Sequence, residues 1–288
     1  MNAQSFQAQL RETGHYASPR GIRRHPLPSF LATPLFGLSM GPIFVRGYFH
    51  SKRPRFMEEK WSEFGFYVYR LVERLGGYIE IEGFQEISDL RQNVVWVSNH
   101  VSSLETYMLP PLLMTWPGLN IVLKESLAHY PLFGSVIRAV YPIRILRKNP
   151  IEDLRKVMRE GAEGIHAGRS ALIFPQGARY RQFDPATFNT LGTKLALHAK
   201  APVVPIAVCT DFLRIGKKHR DLGSTIHPQS PVRIACGPIL PPDLGQAEIQ
   251  RRSVEFIVDK LAEWEKLDGR KLLVDSPADS KSASTSEA

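Results

Sequence analysis

Apolar and polar residues along the chain alternate in patterns that predict both helices and strands. From Met57, apolar residues recur every three or four positions with charged residues between them, and Gly76 and Gly77 end the run. This spacing predicts an amphipathic helix. A second long helix is predicted over residues 247–267.

Between these two helices, short apolar runs typical of strands alternate with helical segments. The predicted strands are YIEIEGF from Tyr78, NVVWVS from Asn93, LNIVLKE, YPIRI, SALIFP, PVVPIAV and PVRIACG. The predicted helices are LETYMLPPLLM, with an interruption expected at Pro110 and Pro111, then LFGSVIRAV, EDLRKVMREGAEGIHAG and TLGTKLALHAK. Such alternation predicts an α/β fold in which helices cover a mostly buried sheet.

An uncharged segment precedes this region, over residues 26–45, with the sequence PLPSFLATPLFGLSMGPIFV. It is as long as a membrane-spanning helix, but its prolines and glycines remove backbone donors or weaken a helix at several places. We therefore expect a broken segment that dips into a membrane or lies on its surface. A spanning helix and a soluble proline-rich arm remain alternatives.

The charge of the chain favours a membrane partner. The net charge is +9, and basic residues flank the apolar segment on both sides: Arg20, Arg23, Arg24, Arg46, Lys52, Arg53 and Arg55. Basic flanks beside an apolar segment are typical of an anionic membrane surface. Because no motif interleaves these charges with stacking aromatics, we expect no nucleic-acid partner.

These patterns divide the chain into three parts. We predict a basic and apolar membrane-associating arm over 1–55, one folded α/β domain over 56–267 and a disordered polar tail over 268–288. Two cysteines are too few for a disulfide framework, and no segment has the layout of a cleaved signal peptide. We therefore expect reduced thiols and a location on the cytoplasmic face of a membrane.

The stretch WVSNHVSSLETYM places a candidate base where a buried strand ends. His100 follows the apolar run VVWVS, and Glu105 follows five positions later. Ligand crevices of α/β folds form at the ends of strands. The two side chains can meet only if His100 lies in the loop and Glu105 in the first turn of the next helix, because five residues of one continuous helix turn through about 500°.

Two interpretations of Glu105 are open. The carboxylate could hold one imidazole nitrogen protonated, so that the other takes a proton from a hydroxyl. Alternatively, Ser102 and Glu105 fit the S-x-x-E capping box, in which the glutamate binds main-chain N–H groups at the start of a helix. Spacing alone does not decide between a catalytic pair and a helix cap.

Four blocks in order decide it: NHVSSLE, KESLAHYPLFG with RILR beyond it, FPQGARYR and VVPIAV. Together, over about residues 93–208, they resemble the glycerophospholipid acyltransferase family, which includes enzymes that acylate lysophosphatidic acid. The resemblance implies a mixed, mostly parallel sheet flanked by helices, and it implies that the folded domain over 56–267 is an acyltransferase domain. It also implies acyl transfer from acyl-CoA or acyl carrier protein to the hydroxyl of a lysophospholipid, most simply 1-acylglycerol-3-phosphate.

The resemblance assigns roles by position. His100 would be the general base of the H-x4-D motif and Glu105 would orient it, with Glu in place of the usual Asp. The second block matches at Lys124, Pro131, Gly134 and Arg147, the third at Phe174, Pro175, Gly177 and Arg179, and the fourth at Val204, Pro205 and Ile206. Substrate-binding roles would fall on Lys124, Arg147, Gln176, Gly177 and Arg179, with Arg179 as the phosphate clamp.

Two departures lie in the third block, where Gln176 replaces a Glu and Ala178 replaces a Thr. If these positions face the acceptor, another lysolipid or a non-phosphate acceptor is the alternative. A non-catalytic lipid-binding protein on a degenerate acyltransferase scaffold is the alternative of another class. The motifs call for no cofactor and no metal, because the cysteines and histidines lack zinc-ligand spacing.

Overall fold

A computed structural model of the chain describes residues 2–19, 27–52, 57–88, 92–116, 118–130, 134, 137, 142–216 and 224–274. The helices are α1 Ala3–Thr13, α2 Ser29–Ser51, α3 Met57–Arg74, α4 Gln85–Ser88, α5 Leu104–Leu113, α6 Pro150–His166, α7 Leu191–Ala199 and α8 Gln246–Asp268. The strands are β1 Tyr16–Ala17, β2 Ile79–Glu82, β3 Val95–Ser98, β4 Leu119–Lys124, β5 Pro142–Ile145, β6 Ser170–Ile173, β7 Val203–Cys209, β8 Leu213–Arg214, β9 Thr225–Ile226 and β10 Val232–Cys236.

Eight of these strands form one mixed sheet in the order β1-β2-β10-β7-β3-β6-β4-β5. The run β7-β3-β6-β4-β5 is parallel throughout, β2 and β10 are parallel, and the β10–β7 and β1–β2 pairs are antiparallel. Strands β8 and β9 form a separate antiparallel hairpin. The prediction of a mixed, mostly parallel sheet is confirmed.

Helices cover both faces of the sheet, because successive residues of each buried strand point to opposite sides. On β3, Trp96 packs in the core with α1, α2, α3 and α5, whereas Val95 and Val97 pack in the core with α6, α7 and α8. Every residue of β3, β6 and β7 is buried. Strands buried on both faces read as continuous apolar runs, which is why the sequence revealed them.

The predicted interruption of α5 at Pro110 and Pro111 is wrong, because both prolines lie inside the helix. A proline removes one backbone donor and costs roughly 3 kcal/mol in a helix interior. Here Met108, Leu109 and Leu112 are fully buried and hold the segment in the core. The predicted helix LFGSVIRAV lies largely outside the described residues.

The predicted arm over 1–55 is wrong in its first part. Residues 2–19 belong to the domain, because α1 buries Phe6 and Leu10 in the core and β1 pairs with β2 at the edge of the sheet. Tyr16 is buried in the same hydrophobic core as Phe6 and Leu10. The Tyr16 hydroxyl donates to Glu73 of α3 at 2.6 Å, which joins this segment to α3. The apolar residues of this segment are separated by many polar residues, so the sequence did not predict that the segment packs on the domain.

The apolar segment forms one continuous helix rather than a broken one. Helix α2 runs for 23 residues through Pro34 and Pro42, and it is long and apolar enough to cross a membrane. Its face with Ala32, Phe36 and Met40 packs on the domain, and it contacts α3 and β9. These contacts offset the two lost backbone bonds. Most of the predicted basic flanks lie outside the described residues.

The domain also extends beyond its predicted end. Helix α8 ends at Asp268, and the residues after it pack on the domain instead of starting the tail expected there. Leu272 is buried, and Leu273 forms a bridge with Phe183. Both main-chain N–H groups of Leu272 and Leu273 donate to the Glu265 side chain. The tail beyond 274 lies outside the described residues.

Candidate active site

His100 lies just past the end of β3, on a loop that is fixed to the neighbouring strand. The Asn99 amide donates to the carbonyl of Val208 at 2.9 Å and accepts from the Val208 N–H at 2.8 Å. Asn99 thus extends the pairing of β3 with β7 by side-chain bonds after β3 itself has ended. The result is a His100 backbone whose position is set by the central strands of the sheet.

The predicted pair of His100 and Glu105 is present. Nδ1 of His100 lies 2.8 Å from Oε1 of Glu105, and Glu105 stands in the first turn of α5. The Glu105 side chain is completely buried, whereas the His100 side chain is 15% exposed. No side chain among the described residues hydrogen-bonds Nε2 of His100. The imidazole of the pair is therefore partly open to solvent while the carboxylate is fully enclosed.

Glu105 also binds the backbone at the start of α5, as the capping-box interpretation predicts for its side chain. Oε1 accepts from the main-chain N–H groups of Val101 at 2.6 Å and Ser102 at 2.7 Å. The Ser102 hydroxyl donates to Oε2 at 2.9 Å and accepts from the N–H of Leu104. The helix cap holds the carboxylate in the position that the histidine requires.

The charge of Glu105 is held by its partners despite complete burial. Burial alone would raise the pKa of Glu105, but the hydrogen bond and charge of His100 and the hydrogen bond of Thr210 together lower it. Thr210 donates from Oγ1 to Oε2 at 2.7 Å. A carboxylate with several donors favours its ionised form. Glu105 is therefore an anion that favours a proton on Nδ1 and leaves Nε2 as the basic nitrogen.

The third sequence block packs around the His100 ring and backbone. The ring of Phe174 stacks on the imidazole with centroids 4.3 Å apart and an angle of 24°. The carbonyl of His100 accepts from the N–H of Tyr180 at 2.8 Å. Stacking and main-chain bonding from one loop restrict both the rotation and the position of the imidazole.

The Gln176 side chain hydrogen-bonds the protein on both sides, at the His100 backbone and at Thr187. Its Oε1 accepts from the main-chain N–H of His100 at 2.9 Å, and its Nε2 donates to Thr187 at 3.2 Å. The residue is buried, with 9% of its surface exposed. The Gln176 side chain therefore joins the His100 backbone to the loop that carries Thr187.

Gly177 and Arg179 bring a cation to the start of α5. Gly177 has a φ of 67°, a left-handed conformation that glycine adopts at little cost. Beyond this turn, Nη1 of Arg179 donates to the Ser103 hydroxyl at 2.5 Å. Ser103 is the residue that precedes α5, directly after Ser102. The predicted phosphate clamp thus lies beside the helix turn that carries Glu105.

Lys124 and Arg147 lie at the same edge of the sheet, further from the centre. Each follows or ends a parallel strand, β4 for Lys124 and β5 for Arg147, and both side chains are exposed. Arg147 has a φ of 60°, and its N–H donates to Asp153 at 2.7 Å. Among the described residues, neither side chain forms a hydrogen bond with the His100–Glu105 pair. Pro131 lies outside the described residues.

Sequence reasoning missed Thr210 and Asn99. Each is a polar residue directly at the end of a buried parallel strand, and polar residues at such ends were the available signal. Thr210 is completely buried, and Asn99 is 1% exposed. Their partners are set by the order of β7 beside β3, which the sequence alone does not reveal.

The structure thus places a histidine against a buried carboxylate at the carboxyl edge of parallel strands, in an α/β sheet covered by helices. Residues 78–209 match the family described as Acyltransferase. This match contains β2 to β7, and hence His100, Glu105, Gln176 and Arg179.

Two curated relatives come from Pseudomonas aeruginosa. A 1-acyl-sn-glycerol-3-phosphate acyltransferase is 34% identical over 155 residues, which are 54% of this chain and 58% of the relative. A lyso-ornithine lipid O-acyltransferase is 32% identical over 118 residues, which are 41% of this chain and 43% of the relative. The chain thus spans about half the length of the curated relatives that it matches.

The fold resembles that of a solved structure. The crystal structure of the 1-acyl-sn-glycerophosphate acyltransferase from Thermotoga maritima superposes with a TM-score of 0.58 at 18% identity, covering 81% of this chain and 90% of that chain. With the family match, this confirms the resemblance seen in the sequence blocks. Over residues 78–209 the chain is thus similar to the Acyltransferase family and to relatives that are named as glycerophospholipid acyltransferases.

Proposed function

We propose that the protein is an O-acyltransferase that moves a fatty acyl group from acyl-CoA or acyl carrier protein to the hydroxyl of 1-acylglycerol-3-phosphate. The observation that carries the proposal is the 2.8 Å contact of His100 Nδ1 with the buried Glu105 carboxylate. This contact leaves Nε2 of the imidazole as a general base at the surface of the domain. The relatives named for this acceptor support the choice of substrate.

In the proposed reaction, Nε2 of His100 takes the proton of the acceptor hydroxyl as its oxygen attacks the thioester carbonyl carbon. The imidazolium that forms is stabilised by the Glu105 anion, which accepts the Nδ1 proton in a hydrogen bond. The carbon–sulfur bond then breaks, and the thiolate leaves with the proton that His100 returns. The proposed acyl transfer requires neither a nucleophilic side chain nor a cofactor.

The acceptor phosphate is proposed to bind at Arg179, whose guanidinium lies at the start of α5 and offers forked donors. Gly177 provides the tight turn that brings Arg179 there. Lys124 and Arg147 extend the positive charge along the same sheet edge and would attract anionic lipid at longer range. Their exposure fits this role better than a direct clamp on the phosphate.

A lysolipid without a phosphate headgroup is the second candidate acceptor, because one relative is named a lyso-ornithine lipid O-acyltransferase. The change at Gln176 no longer supports it, because that side chain binds the His100 backbone. Purified protein with an acyl donor should acylate 1-acylglycerol-3-phosphate in preference to a lysolipid without a phosphate headgroup. The reverse preference would establish the second class.

The domain is proposed to bind the cytoplasmic face of a membrane through α2. One face of α2 packs on the domain, and the other exposes a set of large apolar side chains: Phe30, Leu31, Leu35, Leu38, Val45 and Phe49. Near the end of the helix, the Lys52 ammonium lies 4.9 Å from the centroid of the Tyr48 ring. An apolar face with aromatic and basic residues at its end is typical of interfacial helices.

His100→Ala tests the catalytic proposal. General-base catalysis contributes about 100-fold to 10,000-fold, so acyl transfer should fall by at least about 100-fold while the far-UV circular dichroism stays unchanged. Arg159→Gln on the exposed surface of α6 is the matched control and should retain full activity. Unchanged transfer in His100→Ala would reject His100 as the general base, and absence of transfer by the wild type would support a non-catalytic lipid-binding protein.

A further inference from the structure

A second group of basic and polar side chains lies on the β8–β9 hairpin. Arg214 pairs with Thr225 across the hairpin, and His227 continues β9, with its N–H donating to the carbonyl of Phe212 at 2.7 Å. Paired residues and residues two apart along a strand share one face. Arg214, Thr225 and His227 are therefore on the same face, where the Thr225 hydroxyl lies 3.0 Å from Nε2 of His227.

The Arg214 guanidinium has no protein partner within the part of the chain that the structure describes. Its Nε atom is buried without a hydrogen-bond partner, and the side chain forms no ion pair. A buried charged donor that stays unpaired is costly. The Arg233 side chain, which is 11% exposed, shows the usual arrangement, with ion pairs to Glu80 and Asp268. An anionic ligand would supply a hydrogen-bond acceptor and a counter-charge for the Arg214 guanidinium.

The surrounding charges make this face of the hairpin electropositive. Burial and then the charges of Arg214 and Arg181 lower the pKa of His227, whereas Asp211 raises it. Asp211 is already engaged, because its carboxylate lies 3.5 Å from the Arg270 guanidinium. The acid that faces the cluster therefore neutralises only part of its charge.

The hairpin contacts the proposed membrane helix and follows, in sequence, the strand end that binds Glu105. The N–H of Ile226 in β9 donates to the Thr33 hydroxyl of α2 at 3.0 Å. Thr210 lies four residues before Arg214 and binds Glu105.

We propose that Arg214, Thr225 and His227 form a binding site for a phosphate group of a substrate, separate from Arg179. A guanidinium fork, a hydroxyl and an imidazole together are donors suited to phosphate oxygens. This inference rests on the proposed function for the source of the phosphate. Acyl transfer brings two phosphorylated molecules together, the acceptor lipid with its headgroup and the donor with its pantetheine phosphate.

Steady-state kinetics of the full chain in detergent distinguishes the two sources. Arg214→Gln should raise the KM for one substrate by about tenfold or more, and Arg214→Lys should recover part of that loss. A raised KM for acyl-CoA alone assigns the donor phosphate, and a raised KM for 1-acylglycerol-3-phosphate alone assigns the acceptor phosphate. Arg159→Gln is the control. If neither KM changes, or only kcat falls, the site proposal is overturned.

A binding measurement separates this proposal from the proposed function. Histidine-ring NMR signals of the full chain are followed during titration with glycerol 3-phosphate and, separately, with coenzyme A. The His227 signal, identified by its loss in His227→Gln, should shift with one of the two ligands, and this shift should disappear in Arg214→Gln. A shift in protein that transfers no acyl group would retain the site and reject the enzyme. No shift with either ligand rejects the site.

Discussion

Thr210 donates a hydrogen bond from its hydroxyl to Oε2 of Glu105 at 2.7 Å, across the gap between the end of β7 and the first turn of α5. The bond joins residues that lie 105 positions apart in the chain. Its consequence is that the carboxylate serving His100 is fixed by a strand neighbouring the one that carries His100. The geometry of the pair therefore depends on the order of the central strands.

Thr210→Val should reduce both stability and activity, because it removes a donor from a completely buried carboxylate while keeping the side-chain shape. Loss of one hydrogen bond to a buried charged group costs about 1.5–3 kcal/mol. Urea unfolding should show this loss, and kcat should fall with little change in KM. Thr210→Ser keeps the hydroxyl and serves as the control. Equal behaviour of the two variants would exclude a role for the hydroxyl.

Glu105→Gln and Glu105→Asp should separate the charge of the carboxylate from its reach. Gln keeps the length and can still accept from Val101 and Ser102, but it has no charge to stabilise the imidazolium. We expect kcat to fall by about 100-fold or more while the fold persists. Asp keeps the charge but is one methylene shorter, so it cannot bind His100 and Thr210 at once, and we expect a loss of stability as well. Activity measured beside thermal unfolding distinguishes these outcomes.

The stability of the domain should depend on pH through Glu105. Its pKa is lowered in the folded state, since the bonds and charge of His100 and the bond of Thr210 outweigh the effect of burial. The unfolded chain therefore binds a proton before the folded protein does, and stability falls as pH falls. The contribution is complete above the ordinary pKa of a glutamate and is lost as pH drops through the folded value.

Urea unfolding of the wild type and Glu105→Gln from about pH 7 to about pH 2 measures this contribution. The difference in free energy of unfolding between the two proteins should shrink towards the acid end. A difference that stays constant would mean that the folded protein does not lower the pKa of Glu105.

The sequence predicted the core of the fold because the central strands are apolar on both faces and the helices between them are amphipathic. The segments read as strands contain β2, β3, β4, β5, β6, β7 and β10, and the long predicted helices correspond to α3, α6 and α8. What failed was the treatment of proline as a helix breaker. In α2 and α5, contacts with the rest of the domain outweigh the local preference.

The sequence predicted the contact between His100 and Glu105 but not the contacts that other strands make with them. His100 and Glu105 are five residues apart, so a local motif could identify them. Thr210 binds Glu105 from a distant strand, and Gln176 binds the His100 backbone from another. These contacts follow from sheet order, which one sequence without its fold does not contain. Spacing could not separate the helix cap from the pair with His100 because the Glu105 carboxylate contacts both the backbone N–H groups and the imidazole.

Gln176→Ala should lower kcat more than it changes the KM for the acceptor. The change removes the acceptor of the His100 N–H and the donor to Thr187, and it leaves the His100 N–H without its partner at a cost of about 1–3 kcal/mol. Gln176→Glu keeps an acceptor for His100 and should retain most of the activity. A change in acceptor KM without a change in kcat would show that position 176 contacts the acceptor after all.

Membrane binding is best tested on the exposed face of α2, since deleting residues 1–55 would also remove Phe6, Leu10 and Tyr16 from the core. Phe30 and Leu38 are each 74% exposed, so the double change Phe30→Glu and Leu38→Glu should leave the fold unaffected. Each apolar side chain contributes about 1.5–3 kcal/mol on full burial.

The double variant should therefore lower partition onto anionic vesicles by about 100-fold or more, measured by co-sedimentation. The matched control places glutamates at Ile151 and Leu267, which are 62% and 65% exposed on other helices. Because Ile151 and Leu267 lie outside α2, the control variant should bind vesicles about as well as the wild type does. Equal loss in both double variants would indicate a general effect of added negative charge, and the apolar face of α2 would then not be the membrane contact.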